Sequence, residues 1–209
     1  MEQTNSNIDI ISGFPHDELV MLAKKYGTPL FVIDEDILRS SVERLKNAYG
    51  DYCGTTCIAY SVKANFNPSI LRILCSEEIL FDITTLEELF FYLKSGGSSQ
   101  RVIYASITEE LDEYIQILQK GVDRVVIGSC NGLRNIFEAT KRVGTSPKIM
   151  VRINPDVNVK AEISASSGNG KFGVSFNKNG PDNALNLMNE LLSNSELIFD
   201  GFHFHLGSQ

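Results

Sequence analysis

The chain has 209 residues, of which 43% are hydrophobic and 22% are charged, and its formal net charge is −7. A chain of this length buries enough surface to fold without disulfides or a structural metal, and its composition excludes a disordered or fibrous protein. The acidic balance and the scattered basic residues argue against nucleic acid as a partner, because phosphate binding requires clustered positive charge.

The apolar stretches and the cysteines predict a cytoplasmic protein that does not cross a membrane. Apolar runs such as residues 30–33 are far shorter than the roughly 20 residues of a membrane helix. Residues 1–6 lack the basic and apolar blocks of a secretory signal. Cys57 and Cys130 lie in apolar, strand-like surroundings, so we expect reduced, structural cysteines rather than disulfides or a zinc site.

The predicted elements begin with an amphipathic helix over residues 17–25 and a strand over residues 30–33. A second helix follows Asp34, and from there apolar strands alternate with helical patterns. The strands end near Tyr60, Ile83, Ala105, Ile127, Ile153 and Phe204. The first five ends are roughly 22–26 residues apart, the length of one strand, one helix and two short loops. This alternation predicts a parallel α/β sheet with helices outside it.

An open doubly wound sheet and a (β/α)8 TIM-type barrel both fit these βα units. A Rossmann sheet would carry G-x-G-x-x-G after its first strand, and the sequence has none. The even period favours the barrel, of which about six of the eight βα units are present. The chain ends at Gln209, in the predicted loop after the sixth strand. We therefore expect a partial barrel that is a fragment of a longer protein.

Three charged side chains lie at or near the carboxyl ends of predicted strands, where barrel enzymes place their chemistry. Lys63 directly follows the first strand, where a desolvated amine is a nucleophile toward carbonyls; the alternative is a solvated loop lysine. Asp82 ends the second strand and could hold an imidazole or an iminium, or cap the next helix. Arg152 lies within the fifth strand and requires an anionic partner, at the site or in a rim ion pair.

The sixth strand carries two histidines and a glycine-serine pair. His203 and His205 alternate with phenylalanines, so they are predicted to share one face of the strand. No further Cys or His set completes a coordination shell, so we expect no metal. Gly207 and Ser208 offer a flexible backbone and a hydroxyl suited to a phosphate. A lysine, an imidazole and a phosphate site together point to pyridoxal 5'-phosphate.

Six motifs support this interpretation, and they occur in one order along the chain. They occupy residues 26–34, 60–65, 81–82, 152–155, 171–173 and 203–209. In this order they resemble the pyridoxal-phosphate-dependent ornithine/diaminopimelate/arginine decarboxylase family. Within that family, Tyr-Gly-Thr-Pro-Leu, Lys-Ala-Asn and His-Leu-Gly-Ser-Gln are most similar to the diaminopimelate decarboxylases.

The resemblance implies an alanine-racemase-like barrel of fold type III, joined to a β-domain. Residues 1–35 would form an N-terminal segment whose strand belongs to a β-domain mostly absent from this chain. Residues 36–209 would form the incomplete pyridoxal-phosphate-binding barrel. In relatives, the segment that corresponds to residues 171–173 lies near a dimer interface, so the full-length protein is expected to be a homodimer.

The resemblance also implies roles for individual residues. Lys63 would bond covalently to the cofactor, His205 would stack on its ring, and Ser208 would bind its phosphate. Asp82 and Arg152 would line the cofactor pocket. No metal is implied.

The implied reaction converts meso-diaminopimelate to L-lysine and CO2 in lysine biosynthesis, a reaction on a small-molecule amino acid. Ser61 stands where relatives usually have Ala, and residues 162–171 also depart from the family pattern. These departures leave open another basic amino acid or a siderophore intermediate as substrate, a racemase, or a non-catalytic homologue. Family elements beyond residue 209 are absent, so the isolated chain is expected to be inactive.

Overall fold

The computed structural model describes residues 14–155, 157, 163–164, 172–176 and 183–208. The chain divides into two compact units, Met1–Ile58 and Ala59–Gln209. This division falls later than the boundary after residue 35 that the sequence analysis proposes, and that boundary stays a prediction. None of the described helices is long and apolar enough to cross a membrane.

The described part of the first unit contains two helices, α1 (His16–Tyr26) and α2 (Glu35–Ala48). Acidic residues occupy the first turn of both helices and basic residues the last, which opposes the partial charges of the helix ends. Asp34 caps α2 by accepting a hydrogen bond from the backbone N–H of Ile37 at 3.0 Å. Both helices were predicted, and both are confirmed.

The strand predicted over residues 30–33 is wrong, because these residues lie in a loop between the two helices. Leu30 is 39% exposed and Phe31 is 97% exposed. An apolar run becomes a strand only when a neighbouring strand supplies hydrogen bonds, and no strand occurs among the described residues of this unit. The proposal that this segment joins a β-domain is untested.

The second unit is built on a parallel sheet flanked by helices. Its strands are β1 (Ala59–Ser61), β2 (Leu80–Ile83), β3 (Val102–Ala105), β4 (Arg124–Ile127), β5 (Lys148–Asn154), β6 (Ile163–Ser164), β7 (Val174–Ser175), β8 (Ile198–His203) and β9 (Gly207–Ser208). Its α-helices are α3 (Pro68–Cys75), α4 (Leu86–Lys94), α5 (Leu111–Gln119), α6 (Cys130–Val143) and α7 (Ala184–Leu192). The alternation and the ends of the six main strands confirm the predicted partial α/β barrel.

The strands follow the chain order β1-β2-β3-β4-β5, and each neighbouring pair is parallel. β5 also pairs with β8 and β7. β8 pairs with residues 148–152 of β5, and β7 pairs with Ile153 and Asn154. The pairing of β8 with β5 ends at His203, which is also the last residue of β8.

The core lies between this sheet and its helices and explains why the strands are apolar. Phe81, Tyr104, Val125 and Ile149, one from each of four adjacent strands, are fully buried. Burial of such side chains drives the folding of a parallel sheet that is covered by helices. The helix starts are set by side-chain caps from Asn67, Thr85, Ser129 and Asn183.

The long polar segment after β5 returns to the end of the chain. β6 pairs antiparallel with β9, so Ile163 lies opposite Ser208 and Ser164 lies opposite Gly207. The predicted phosphate-binding residues therefore belong to a small two-stranded sheet outside the main one. Lys171 and Gln209 lie outside the described residues.

Candidate functional site

The strand register brings the predicted site residues to one edge of the sheet. Ser61 is the register partner of Asp82 across β1 and β2, and Arg152 is the register partner of His203 across β5 and β8. In parallel strands the carboxyl ends meet at a common edge, which is where barrel enzymes bind their ligands. We call Lys63, Asp82, Arg152, His203 and His205 the lysine cluster.

Lys63 lies in a 3-10 turn, Val62–Ala64, directly after β1. Val62 is fully buried and fixes the turn, while Lys63 is exposed beside it. The hydroxyl of Tyr60 donates to the backbone oxygen of Asn65 at 3.1 Å and closes the loop. Burial raises the pKa of Tyr60, so this hydroxyl keeps its proton. Lys63 forms no ion pair with any described residue.

Asp82 is held by a hydrogen bond from the neighbouring strand. The Oγ of Ser61 donates to Oδ2 of Asp82 at 2.9 Å. Helix capping, the alternative role for Asp82, is carried out by Thr85, whose hydroxyl accepts from the backbone N–H of Glu88 at 3.2 Å. The carboxylate of Glu88 in turn accepts from the backbone N–H of Thr84 at 2.8 Å. The carboxylate of Asp82 is therefore available to the lysine cluster.

Arg152 is half-buried, and its guanidinium lies 4.8 Å from the centre of the Phe172 ring. Burial lowers the pKa of Arg152, and the negative charges of Asp82 and Glu109 oppose that shift. An arginine within a strand was predicted to need an anionic partner. The carboxylates of Asp82, on β2, and Glu109, in the loop after β3, supply that negative charge.

The two histidines differ in their surroundings. His203 ends β8 and is partly buried, and its Nδ1 is buried without a hydrogen-bond partner in the described structure. Burial lowers the pKa of His203, and the positive charge of Arg152 lowers it further. His205 is exposed beyond the strand. The prediction that both lie on one strand face is wrong, because β8 ends at His203 and His205 lies in the loop beyond it.

The charges of the lysine cluster act on one another. Besides burial, the positive charges of Arg152, His205 and Lys63 lower the pKa of His203, and the negative charge of Asp82 opposes that shift. The side chain of Ser208 lies outside the described structure, so its phosphate-binding role stays a prediction. Among the described residues, no group of three or more His, Cys, Asp or Glu side chains could hold a metal ion.

A second polar group, which the sequence analysis missed, lies after β3 and β4. Its members are Tyr104, Ser106, Thr108, Glu109, Glu113 and Ser129, and we call them the glutamate cluster. Glu113 accepts hydrogen bonds from the hydroxyls of Tyr104 at 2.5 Å and Ser106 at 2.6 Å, and from Thr108. The serine and threonine after β3 are a weak sequence signal for such a network.

Glu109 connects two βα units within this cluster. Its carboxylate accepts hydrogen bonds from the backbone N–H of Gly128 and from the hydroxyl of Ser129. Burial raises the pKa of Glu109, although these two hydrogen bonds and the charge of Arg152 favour the carboxylate. Glu109 and Arg152 line the same cavity, together with Ser106, Ser129 and Phe172.

Comparison with known proteins gives a family match to most of the chain. The sequence profile described as "Pyridoxal-dependent decarboxylase, pyridoxal binding domain" matches residues 36–209. This range contains the lysine cluster and the glutamate cluster.

The individual relatives compared with this chain are diaminopimelate decarboxylases. A diaminopimelate decarboxylase of Vibrio cholerae is 31% identical over 193 residues, which is 91% of this chain and 45% of that protein. That of Aquifex aeolicus is 29% identical over 190 residues, 90% of this chain and 43% of that protein. The crystal structure of the Helicobacter pylori diaminopimelate decarboxylase complexed with L-lysine superposes with a TM-score of 0.81 at 27% identity, covering 91% of this chain and 47% of that one. The chain thus spans less than half the length of these relatives.

Proposed function

This chain belongs to the family of pyridoxal-dependent decarboxylases, and we propose that the whole protein removes a carboxylate of an amino acid as CO2. The observation that carries the proposal is the lysine cluster. It gathers an exposed amine, a carboxylate, a guanidinium and two imidazoles at the carboxyl edge of a partial barrel. We further propose that meso-diaminopimelate is the substrate and L-lysine the product, which the names of the relatives support.

The residues present fit pyridoxal 5'-phosphate. The buried Nδ1 of His203 lacks a partner among the described residues, which is costly unless a ligand or water supplies one. The desolvation predicted for Lys63 is not seen, because the residue is exposed in the turn after β1. Its amine has no ion pair to a described residue and is accessible to an aldehyde. Lys63, Asp82, Arg152, His205 and Ser208 would hold the cofactor in this proposal.

Each residue of the lysine cluster has a distinct task. Lys63 would hold the cofactor through its Nζ. Ser61 fixes one oxygen of Asp82, so that the carboxylate keeps a constant orientation toward the cationic groups. His203, whose pKa is lowered, stays neutral at pH 7 and adds no positive charge beside Arg152. His205 offers an exposed ring for stacking.

When bound, pyridoxal phosphate supplies the electron sink that makes loss of CO2 possible. The protein orients the scissile bond and keeps water from the reacting carbon. We propose that residues 36–209 form the cofactor-binding part of a homodimeric, cytoplasmic enzyme, with residues 1–35 as a separate N-terminal segment. The family match over the same range supports this division.

Release of CO2 from amino acids tests the proposal in the protein at its natural length. We expect pyridoxal phosphate to be required and meso-diaminopimelate to react faster than L-ornithine, L-arginine or L-lysine. Faster release of CO2 from one of the other three amino acids would change the proposed substrate but support the proposed decarboxylation. Interconversion of stereoisomers without CO2 would indicate a racemase, and cofactor uptake without turnover of any substrate would indicate a non-catalytic homologue.

A further inference from the structure

Glu109 has a backbone conformation that is unusual for a residue with a side chain. Its φ is +56°, and among the described residues no other non-glycine residue has a positive φ. Such a conformation is disfavoured for a residue with a side chain, so the surrounding contacts must maintain it. The backbone N–H of Glu109 donates to Oγ of Ser106 at 2.7 Å, and its carbonyl accepts from Nδ2 of Asn135 at 2.8 Å.

The space around the carboxylate is shaped by glycine. A Cβ at Gly132 would lie 2.4 Å from Oε2 of Glu109, a distance that real contacts do not allow. The loop conformation, the glycine in α6 and the two donors to Oε1 and Oε2 therefore fix the carboxylate at one place. Capping of the α6 N-terminus explains those two hydrogen bonds. It does not explain why Glu109 also lines the same cavity as Arg152 and Phe172.

Arg152 lies near two carboxylates that are each anchored independently. Asp82 is held from β1 by Ser61, and Glu109 is held from the start of α6 by Gly128 and Ser129. No hydrogen bond from the Arg152 guanidinium to a described residue accompanies its contact with Phe172. The guanidinium therefore lies on the Phe172 ring with no hydrogen bond to a described residue that would oppose the attraction of the two negative charges.

We propose that Glu109 is a positioning residue for Arg152, and that this pair sets how strongly the lysine cluster binds its cofactor. The inference rests on the proposed function, because it assumes that Arg152 lines the cofactor pocket. Loss of the Glu109 charge leaves Asp82 as the remaining anion of the two for Arg152. The guanidinium then shifts toward Asp82 and neutralises the carboxylate that faces the cofactor.

The experiment measures the dissociation constant for pyridoxal phosphate and the visible absorption of the bound cofactor, in the natural-length protein after removal of its cofactor. Glu109→Gln removes the charge and keeps the shape. Glu113→Gln is the matched control, since it makes the same change in a carboxylate that receives three hydroxyl donors. We expect Glu109→Gln to raise the Kd about three- to tenfold and to shift the absorption, and Glu113→Gln to stay within about twofold.

Two further variants separate positioning from a structural role. In an Arg152→Gln background, the effect of Glu109→Gln on the Kd is expected to fall below about twofold, because the group it positions is gone. Glu109→Asp, which keeps the charge, is expected to restore part of the wild-type affinity even if Glu109→Gln lowers the melting temperature.

Equal Kd values for Glu109→Gln and Glu113→Gln would overturn the inference. So would an unchanged effect in the Arg152→Gln background, or a Glu109→Asp protein that binds no better than Glu109→Gln. A wild-type protein that takes up no pyridoxal phosphate would instead overturn the proposed function itself, so the two failures are distinguishable.

Discussion

The lysine cluster and the glutamate cluster lie at the same edge of the sheet, yet their polar groups are satisfied differently. In the glutamate cluster, Glu113 receives three hydroxyl donors and Glu109 receives a backbone amide and a hydroxyl. In the lysine cluster, a buried nitrogen of His203 has no described partner, and Lys63 has no described ion pair. Buried polar groups in stable proteins are normally paired, so the nitrogen without a described partner and the amine without a described ion pair are consistent with the proposal that the lysine cluster binds a ligand.

Arg152 joins the two regions, because it lines one cavity with Glu109, and the negative charges of Asp82 and Glu109 both oppose the lowering of its pKa by burial. The glutamate cluster therefore has a double task in this account. It stabilises the loops after β3 and β4, and it holds one of the two charges that orient Arg152. A substitution in either cluster should show which of these tasks it affects.

Substitution of Lys63 should have the largest effect on function and little effect on folding. Lys63→Ala is expected to reduce decarboxylation to background and to abolish the visible band of the bound cofactor, because the covalent attachment point is lost. The exposed position of Lys63 predicts an almost unchanged melting temperature. Lys120→Ala, at an exposed lysine after α5, is the matched control and should leave turnover unaffected.

Two tyrosine substitutions, one in the glutamate cluster and one in the strand before Lys63, should differ in their effect on stability. Tyr104 is fully buried and donates to Glu113 at 2.5 Å, so Tyr104→Phe is expected to lower the free energy of unfolding by about 1–3 kcal/mol. Tyr60→Phe removes the hydroxyl that closes the Lys63 loop and should raise the cofactor Kd with a smaller loss of stability. Chemical denaturation and cofactor titration of both variants measure this. A larger stability loss for Tyr60→Phe would reverse the comparison.

The two histidines should differ in their contribution to cofactor binding. His205 is exposed beside the predicted phosphate site, so loss of its stacking in His205→Ala should weaken binding by about 0.5–1.5 kcal/mol, roughly two- to tenfold in Kd. His203→Ala should have a smaller effect, because His203 lies within β8 and is partly buried. Equal effects would indicate that the exposed ring does not contact the cofactor.

The clusters should also give opposite pH dependences of stability. Burial lowers the pKa of His203 in the folded protein. The stability that neutral His203 contributes is therefore present above its pKa in the unfolded chain, about 6.5, and is lost as the pH falls through its pKa in the folded protein. Burial raises the pKa of Glu109 in the folded protein. The stability that protonated Glu109 contributes is therefore present below about pH 4.5 and is lost as the pH rises through its pKa in the folded protein.

Melting temperatures of the cofactor-free, natural-length protein between pH 4 and pH 8 check both directions. His203→Asn should reduce the loss of stability on the acid side. Glu109→Gln should reduce the loss that accompanies rising pH. A wild-type pH profile that neither substitution changes would contradict these assignments.

The sequence predicts the strands and the position of Lys63 after the first of them, because both depend on local information. Apolar runs at a regular spacing specify the strands, and Lys63 directly follows one of them. The errors concern pairing between distant segments. Residues 30–33 look like a strand but have no neighbouring strand among the described residues, and β8 ends at His203, where its pairing with the distant strand β5 ends.

Glu109 was missed for the same reason. Its hydrogen-bond partner Ser129 lies 20 residues further along the chain, in the next βα unit. Ser129 can be read from the sequence as a helix cap, since it precedes α6. Nothing local indicates that a carboxylate from the preceding loop shares that cap, because the contact exists only after β3 and β4 pair.

The most direct test of the account is the position of the covalent bond between protein and cofactor. Borohydride reduction of the natural-length protein with bound pyridoxal phosphate, followed by peptide mapping, identifies the modified lysine. We predict a single cofactor label on the peptide that contains Lys63, with an unlabelled digest from Lys63→Ala. A label on Lys171, or on another lysine while Lys63 stays unmodified, would contradict the assignment of the lysine cluster as the cofactor site.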